Sequence, residues 1–167
     1  MTVKQEFIKH VKEHEGIVYK VASVYADGKE DRQDLFQEII YQLWRSYPTF
    51  KGHSKISTWM YRVALNTSIT HLKKEKRKDQ QVPLDPELLN RMEDRENLEE
   101  EQLAILHAHI KKLNLIEKGI ILLYLEGRSY VEIAAITGFT QTNIGTRLSR
   151  IKQKLKDQIT KEHSYGI

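Results

Sequence analysis

The chain has 167 residues, 40% of them hydrophobic and none a cysteine, which allows one medium domain or two small ones and excludes disulfides, thiolate metal sites and cysteine nucleophiles. Its net charge of +4 is unevenly distributed, since residues 1–78 carry 15 Lys or Arg against 9 Asp or Glu, residues 79–102 carry 2 against 9, and residues 103–167 carry 10 against 5. Two basic blocks around an acidic one suggest two nucleic-acid-facing modules and a solvated linker.

Long periodic segments with only 8 glycines and 3 prolines predict an all-α fold. We expect two small helical domains, residues 1–78 and 102–167, joined by a flexible acidic linker over residues 79–101, with a helix-turn-helix in the second domain. The N-terminal sequence has no apolar core of a signal peptide, and apolar runs such as residues 120–125 are too short to cross a bilayer. We therefore expect a cytoplasmic protein without membrane insertion.

The first helices are predicted over residues 4–14 and 17–25, interrupted at Gly16, and supply packing surface rather than chemistry. His10 and His14 are four residues apart and could share a helix face, but no further ligand has metal-site spacing. A solvated pair of histidines is the favoured interpretation, and we predict no metal site and no cofactor.

A third helix is predicted over residues 31–47. Leu35, Ile39 and Leu43 recur at helical spacing and indicate a buried stripe. Acidic residues in the first turn favour the helix macrodipole, and Pro48 ends the helix.

A polar loop over residues 50–58 precedes a basic helix predicted from Trp59 to about Lys78, capped by Ser57 or Thr58. Such loops can present backbone and short polar groups to a ligand. Trp59 and Tyr61 beside a basic helix are typical of single-stranded DNA binding, in which aromatic rings stack on bases. The alternative is that both rings belong to the core, and for Trp59 the core is favoured.

After the linker, helices are predicted over residues 102–113 and 116–125. Ser129 and Glu132 then form the S-x-x-E pattern of a capping box, Gly138 suits a left-handed helix end, and Thr140 suits an N-cap. These signals predict a helix-turn-helix between Gly127 and Lys156, with a frayed tail after it.

The second helix of this motif has a buried stripe at Ile144, Leu148, Ile151 and Leu155. At about 100° per residue, small polar side chains and an arginine lie opposite that stripe, as major-groove insertion requires; they are Thr142, Thr146, Ser149 and Arg150. Arg147 and nearby lysines add charge for phosphate contact. The alternative is an ordinary helical hairpin with a solvated basic face, which we consider less well supported.

Two separated blocks resemble bacterial sigma factors of the extracytoplasmic-function (ECF) group, which are minimal two-domain sigma factors. The first block comprises residues 31–38 and 50–67, and the second comprises residues 113–134 and 146–150. Helix-turn-helix motifs occur in many regulators, but the two blocks in this order are highly specific. Asn114 stands where many relatives have proline, so its helix is expected to start differently.

The resemblance implies a promoter-specificity subunit that binds the beta-prime and beta subunits of core RNA polymerase, promoter DNA and an anti-sigma factor. Contact with the beta-prime coiled coil is implied for Asp34, Leu35, Gln37 and Glu38. Capture and melting of the minus-10 element are implied for Lys51, Gly52, His53, Ser54, Lys55, Arg62, Asn66 and Lys73. The helix-turn-helix would read the minus-35 duplex, with Arg150 as the guanine contact.

Two other functions compete with this interpretation. A helix-turn-helix regulator that is not a polymerase subunit would need a dimerisation or ligand-binding region, and nothing in residues 31–78 suggests one. A metal-dependent nuclease would need clustered carboxylates or histidines, and the sequence has no such cluster. We therefore expect a sigma factor and not an enzyme.

Overall fold

The computed structural model describes residues 1–73 and 106–165, with side chains as far as residue 161. The chain divides into two compact units, Met1–Gln102 and Leu103–Ile167. All regular structure in the described residues is helical, so the all-α prediction is confirmed. The predicted linker over residues 79–101 lies outside the described residues, as does the end of the preceding basic helix.

Four helices and one short 3-10 turn form the first unit; they are α1 (Val3–Glu13), α2 (Glu15–Tyr25), α3 (Lys29–Ser46), the 3-10 turn Tyr47–Thr49 and α4 (Ile56–Lys73). Helices α2, α3 and α4 pack against one another. Their contact surface is made of large apolar side chains that are almost fully buried, including Val21, Leu35, Ile39, Met60 and Tyr61. Burial of these side chains is the main favourable term in the stability of this unit.

A chain of aromatic rings joins α1 to the beginning of α4. The Phe7 ring lies 5.1 Å from Trp44 and 5.3 Å from Tyr47, between ring centroids. Tyr47 lies 6.1 Å from Trp59, which lies 5.0 Å from Phe50. Tilted and edge-on pairs at these separations are favourable, so the rings fix α1 and the polar loop to the same end of the unit.

The second unit contains residues 106–110 in helical conformation, followed by α5 (Leu115–Leu125), α6 (Tyr130–Thr137) and α7 (Gln141–Tyr165). Each pair among α5, α6 and α7 is in contact. Side chains that are completely buried lie between them, among them Ile120, Leu123, Ile133, Ile144 and Leu148. None of the described helices is both long and apolar enough to span a membrane.

Local hydrogen bonds begin and end the helices of the second unit. Asn114 and Ser129 each accept from the backbone N–H three residues later, and Glu117 and Glu132 accept in return, which are complete capping boxes. Asn114 is thus the N-cap of α5. Gly138 ends α6 at φ 86°, in the left-handed region, and Thr140 accepts from the Asn143 N–H at 3.1 Å. The predicted helix-turn-helix is confirmed.

Several helix boundaries differ from the sequence prediction. The break after α1 is at His14, whose φ and ψ are −123° and 33°, and Gly16 lies inside α2. Helix α4 begins at Ile56, because the Lys55 carbonyl accepts from the Trp59 N–H; Ser57 and Thr58 are buried inside it rather than capping it. The tail after Lys156, predicted to fray, continues α7 to Tyr165.

An ion pair connects the start of α5 to α7. Lys154 Nζ donates to both carboxylate oxygens of Glu117, at 3.1 and 2.9 Å, and the Glu117 side chain is only 13% exposed. Burial of this carboxyl raises its pKa, but the hydrogen bonds from Lys154 and Asn114 and the positive charges of Lys154 and Arg147 outweigh burial. The pKa of Glu117 is therefore lower than its ordinary value.

Two glycine substitutions in the helix-turn-helix should change stability in opposite directions. Gly138→Ala should destabilise the second unit by about 1 kcal/mol or more, because alanine is strained at positive φ, although an added Cβ would meet no atom within 4 Å. Gly145→Ala should stabilise it by about 0.5–1 kcal/mol, since alanine favours a helix interior and its Cβ would make ordinary contact with Tyr130 at 3.6 Å. Denaturant unfolding measures the free energy of unfolding of both variants. If both substitutions changed this free energy in the same direction, the turn geometry would be contradicted.

The Glu117–Lys154 pair predicts a stability that depends on pH. Because the pKa is lower in the folded chain, the contribution is present above the unfolded value of about 4.3 and is lost as the pH falls through the folded value. Glu117→Gln should cost up to about 1 kcal/mol at neutral pH, since glutamine can still accept from Asn114. Denaturant unfolding from about pH 7 to pH 3 should show wild type and variant converging, whereas a constant difference would contradict the ion pair.

Candidate nucleic-acid interface

One face of α3 carries the polar side chains that the sequence assigns to polymerase contact. Asp34, Gln37 and Glu38 are half-buried and fall within about 100° of one another in helical projection. Glu38 accepts a hydrogen bond from Gln42 at 3.3 Å. Leu35 requires a correction, because it is 0% exposed and its side chain packs in the core; it cannot contact a partner while this unit stays folded.

The loop before α4 is largely exposed. Lys51, Gly52, His53 and Lys55 are exposed, and Ser54 is half-buried. Gly52 has φ +74°, in the left-handed region that glycine adopts without strain. The loop therefore presents two lysines and backbone groups to solvent, next to the beginning of α4.

A polar stripe continues from this loop along α4. Arg62, Asn66 and Lys73 are all exposed, and their spacing of four and seven places them within about 40° of one another in helical projection. The opposite face carries Met60, Ala64 and Thr67, which are buried. The structure thus places three of the predicted minus-10 residues on one accessible stripe, continuous in sequence with the loop.

The stacking role suggested for Trp59 and Tyr61 is wrong, and the alternative of core residues is confirmed. Trp59 is 8% exposed and Tyr61 is 2% exposed. The Trp59 ring is covered by Phe50 from the loop and approached by Tyr47 from the 3-10 turn. Since neither ring has a free face, bases cannot stack on them; Trp59 instead anchors the loop.

Helix α7, the second helix of the helix-turn-helix, presents the face predicted from the sequence. Ile144 and Leu148 are completely buried and Ile151 is 1% exposed, while four polar side chains on the other side are exposed; they are Thr142, Thr146, Ser149 and Arg150. Short side chains on this face leave room for a base edge to approach the helix, and Arg150 is the only long side chain among the four.

Arg147 differs from its neighbours because it is held within its own unit. Its Nε donates to Asn143 Oδ1 at 2.6 Å, and its guanidinium carbon lies 4.2 Å from the centroid of the Phe139 ring. Arg147 is half-buried, and its charge also helps to lower the pKa of Glu117. The predicted phosphate contact is thus a side chain whose position is already fixed.

Two features of this surface escape sequence reasoning. Asn143 and Arg147 are four residues apart, a spacing that brings side chains together on a helix and could have revealed the pair. Lys154, expected to supply free charge, is instead bonded to Glu117, which lies 37 residues away in the chain. No local pattern indicates that second contact. Across residues 1–73 and 106–165, no group of three His, Asp or Glu residues could hold a metal ion.

Two family models match the chain, one in each unit. The model of sigma-70 region 2 matches residues 10–78, which include α3, the polar loop and α4. The model of sigma-70 region 4 matches residues 103–155, which include the helix-turn-helix. The order of the two matches is the order of the two sequence blocks that resemble ECF sigma factors.

Similar proteins cover nearly the same length. RNA polymerase sigma factor SigV of Bacillus subtilis is 28% identical over 96% of this chain and 95% of its own length. RNA polymerase sigma factor YlaC of the same organism is 31% identical over 79% of each chain. The ECF RNA polymerase sigma-E factor of Escherichia coli is 28% identical over 84% of this chain and 81% of its own length.

Solved structures share the fold. CnrH, in complex with the cytosolic domain of CnrY, aligns with a TM-score of 0.68 at 18% identity, over 95% of this chain and 90% of that chain. The sigma factor RpoE of Bartonella quintana, in complex with the anti-sigma factor NepR, aligns with a TM-score of 0.64 over 94% of this chain and 96% of that chain. The chain belongs to the ECF group of sigma-70 family factors, which direct RNA polymerase to promoters and help to open the DNA.

Proposed function

We propose that the two units perform the two DNA-binding steps of promoter recognition separately. The observation that carries this proposal is the accessible stripe of Arg62, Asn66 and Lys73 on α4, which extends from the exposed loop over residues 51–55. Two positive charges and an amide along one helix face can neutralise phosphates and bond to unpaired bases. In this role the first unit captures and holds the opened minus-10 strand.

The second unit would read the minus-35 element as duplex DNA. Insertion of α7 into the major groove brings Thr142, Thr146 and Ser149 towards base edges. Arg150 is the one member of this face able to make a two-point contact with guanine. Arg147 and the exposed Lys156 add positive charge at the flanks for phosphates.

Core polymerase would bind the polar face of α3 through Asp34, Gln37 and Glu38. Leu35 takes part only by holding the helix in the core. Carboxylates whose oxygens are partly withdrawn from solvent form stronger charge-assisted bonds than fully solvated ones. The beta-prime coiled coil is the surface that this face would meet, and the beta subunit would complete the polymerase contact.

An anti-sigma factor is the remaining partner in this proposal. The aligned sigma factor RpoE was co-crystallised with an anti-sigma factor, and the structure of CnrH is of its complex with the cytosolic domain of CnrY. An inhibitor of this kind would act by covering the surfaces that bind polymerase. The chain would work in the cytoplasm as a non-catalytic subunit.

The function is tested by transcription in vitro from a promoter library with core polymerase and the full-length chain. We expect transcripts only when the chain is added, from templates that share two separated sequence elements. Transcripts from templates that share only one element would contradict the division of labour between the units.

Loss of the α3 carboxylates should weaken polymerase binding. The double variant Asp34→Asn and Glu38→Gln preserves shape and removes two negative charges, so we expect affinity for core polymerase to fall at least about tenfold. Affinity is measured by titration of labelled full-length chain with core polymerase, and circular dichroism checks the helices. The matched control, Glu6→Gln and Glu13→Gln, removes two exposed carboxylates from α1 and should bind normally; equal affinity of both variants would contradict the assignment.

A further inference from the structure

The beginning of α7 holds a side chain that is fixed in orientation although it is exposed. Asn143 is the third residue of α7 and is exposed, and its backbone N–H donates to Thr140 Oγ1 at 3.1 Å. Its Oδ1 accepts from Arg147 Nε at 2.6 Å. Both the backbone and the side-chain oxygen of Asn143 are therefore held before any ligand arrives.

The chemistry of Arg147 determines which way the Asn143 amide faces. A guanidinium has only donors, so it can bond to the amide oxygen and never to the amide nitrogen. The Phe139 ring, 4.2 Å from the guanidinium carbon, supports Arg147 through a cation–π contact. With its oxygen facing Arg147, Asn143 directs its Nδ2 group, which carries two donors, away from that contact.

Asn143 also lies beside the base-reading face. It is seven residues before Arg150, which places the two within about 20° in helical projection and about 10 Å apart along α7. Both residues are exposed, and Thr146 lies between them on the same side. A base pair that meets Asn143 is therefore a different one from the base pair that meets Arg150.

We propose that Asn143 is a specificity-determining residue that donates from Nδ2 to an acceptor on the major-groove edge of a guanine or thymine, and that Arg147 is its positioning residue. The proposal rests on the function proposed above, in which α7 enters the groove of the minus-35 element. Guanine presents N7 and O6, and thymine presents O4. Asparagine commonly pairs with adenine through both amide atoms, but here the oxygen already accepts a short, charge-assisted bond.

The inference is tested with full-length chain and core polymerase on a promoter library randomised in the upstream duplex element. Asn143→Asp keeps the oxygen that faces Arg147 and replaces the outward donor by an acceptor. At the one base position that Asn143 is proposed to contact, the ratio of cytosine to guanine or thymine among selected promoters should rise at least about fivefold. The reason is that the N4 group of cytosine donates to carboxylates. An aspartate in the first turn also favours the helix, so folding should be retained.

Three further variants separate base reading from charge. Gln141→Glu makes the same change of charge at the exposed first residue of α7 and should weaken binding without altering preference at the Asn143 position. Arg147→Lys keeps the positive charge but loses the planar guanidinium, so preference at that position should relax while the salt dependence of binding is unchanged. Arg150→Ala should relax the base preference at a different base position from the one that Asn143 contacts.

Each outcome decides between the alternatives. A base preference in Asn143→Asp identical to that of wild type would overturn the inference. If Arg147→Lys keeps the wild-type base preference at the position that Asn143 contacts, the positioning role of Arg147 is overturned. If the wild-type chain enriches no sequence in the duplex element, the proposed function of the second unit fails and this inference fails with it.

Discussion

The first unit depends on a run of aromatic contacts from Phe7 through Tyr47 and Trp59 to Phe50. These rings come from α1, the 3-10 turn, α4 and the polar loop, so one set of contacts fixes the start of α4 and the loop before it. Burial and the negative charge of Glu6 raise the pKa of the Tyr47 hydroxyl. In the proposed function, the exposed loop residues 51–55 and the exposed side chains of Arg62, Asn66 and Lys73 bind a flexible strand on a backbone that these aromatic contacts hold in place.

The second unit is organised by short-range hydrogen bonds instead. Two capping boxes and the left-handed Gly138 set where α5 and α6 begin and where α6 ends. Hydrogen bonds from Ser129 and Arg128 lower the pKa of Glu132, so the ionised carboxylate is favoured as the acceptor of this capping box. Arg147, held by Asn143 and Phe139, extends the same ordering onto the side of α7 that we propose to face DNA. A surface ordered before binding loses less conformational entropy on contact with DNA.

The sequence predicts those parts of the molecule that local chemistry determines. Ser129, Gly138 and the buried stripe from Ile144 to Leu155 act through neighbours within one or two helical turns, and each was predictable. The errors arise where a distant contact decides the outcome. Tyr61 resembles a stacking platform but is buried in the core, Leu35 matches a contact motif while lying in the core, and Lys154 is bonded to a carboxylate on another helix. Periodicity and residue type alone cannot reveal such pairings.

Strand opening by the first unit is the central claim, and permanganate reactivity of unpaired thymines tests it most directly. On a promoter selected with the wild-type chain and core polymerase, the triple variant Arg62→Ala, Asn66→Ala and Lys73→Ala should still protect the upstream duplex element, while the downstream thymines lose their reactivity. Lys4→Ala with Lys9→Ala removes two exposed charges from α1 and should leave that reactivity unchanged. Thymines as reactive with the triple variant as with wild type would contradict the account.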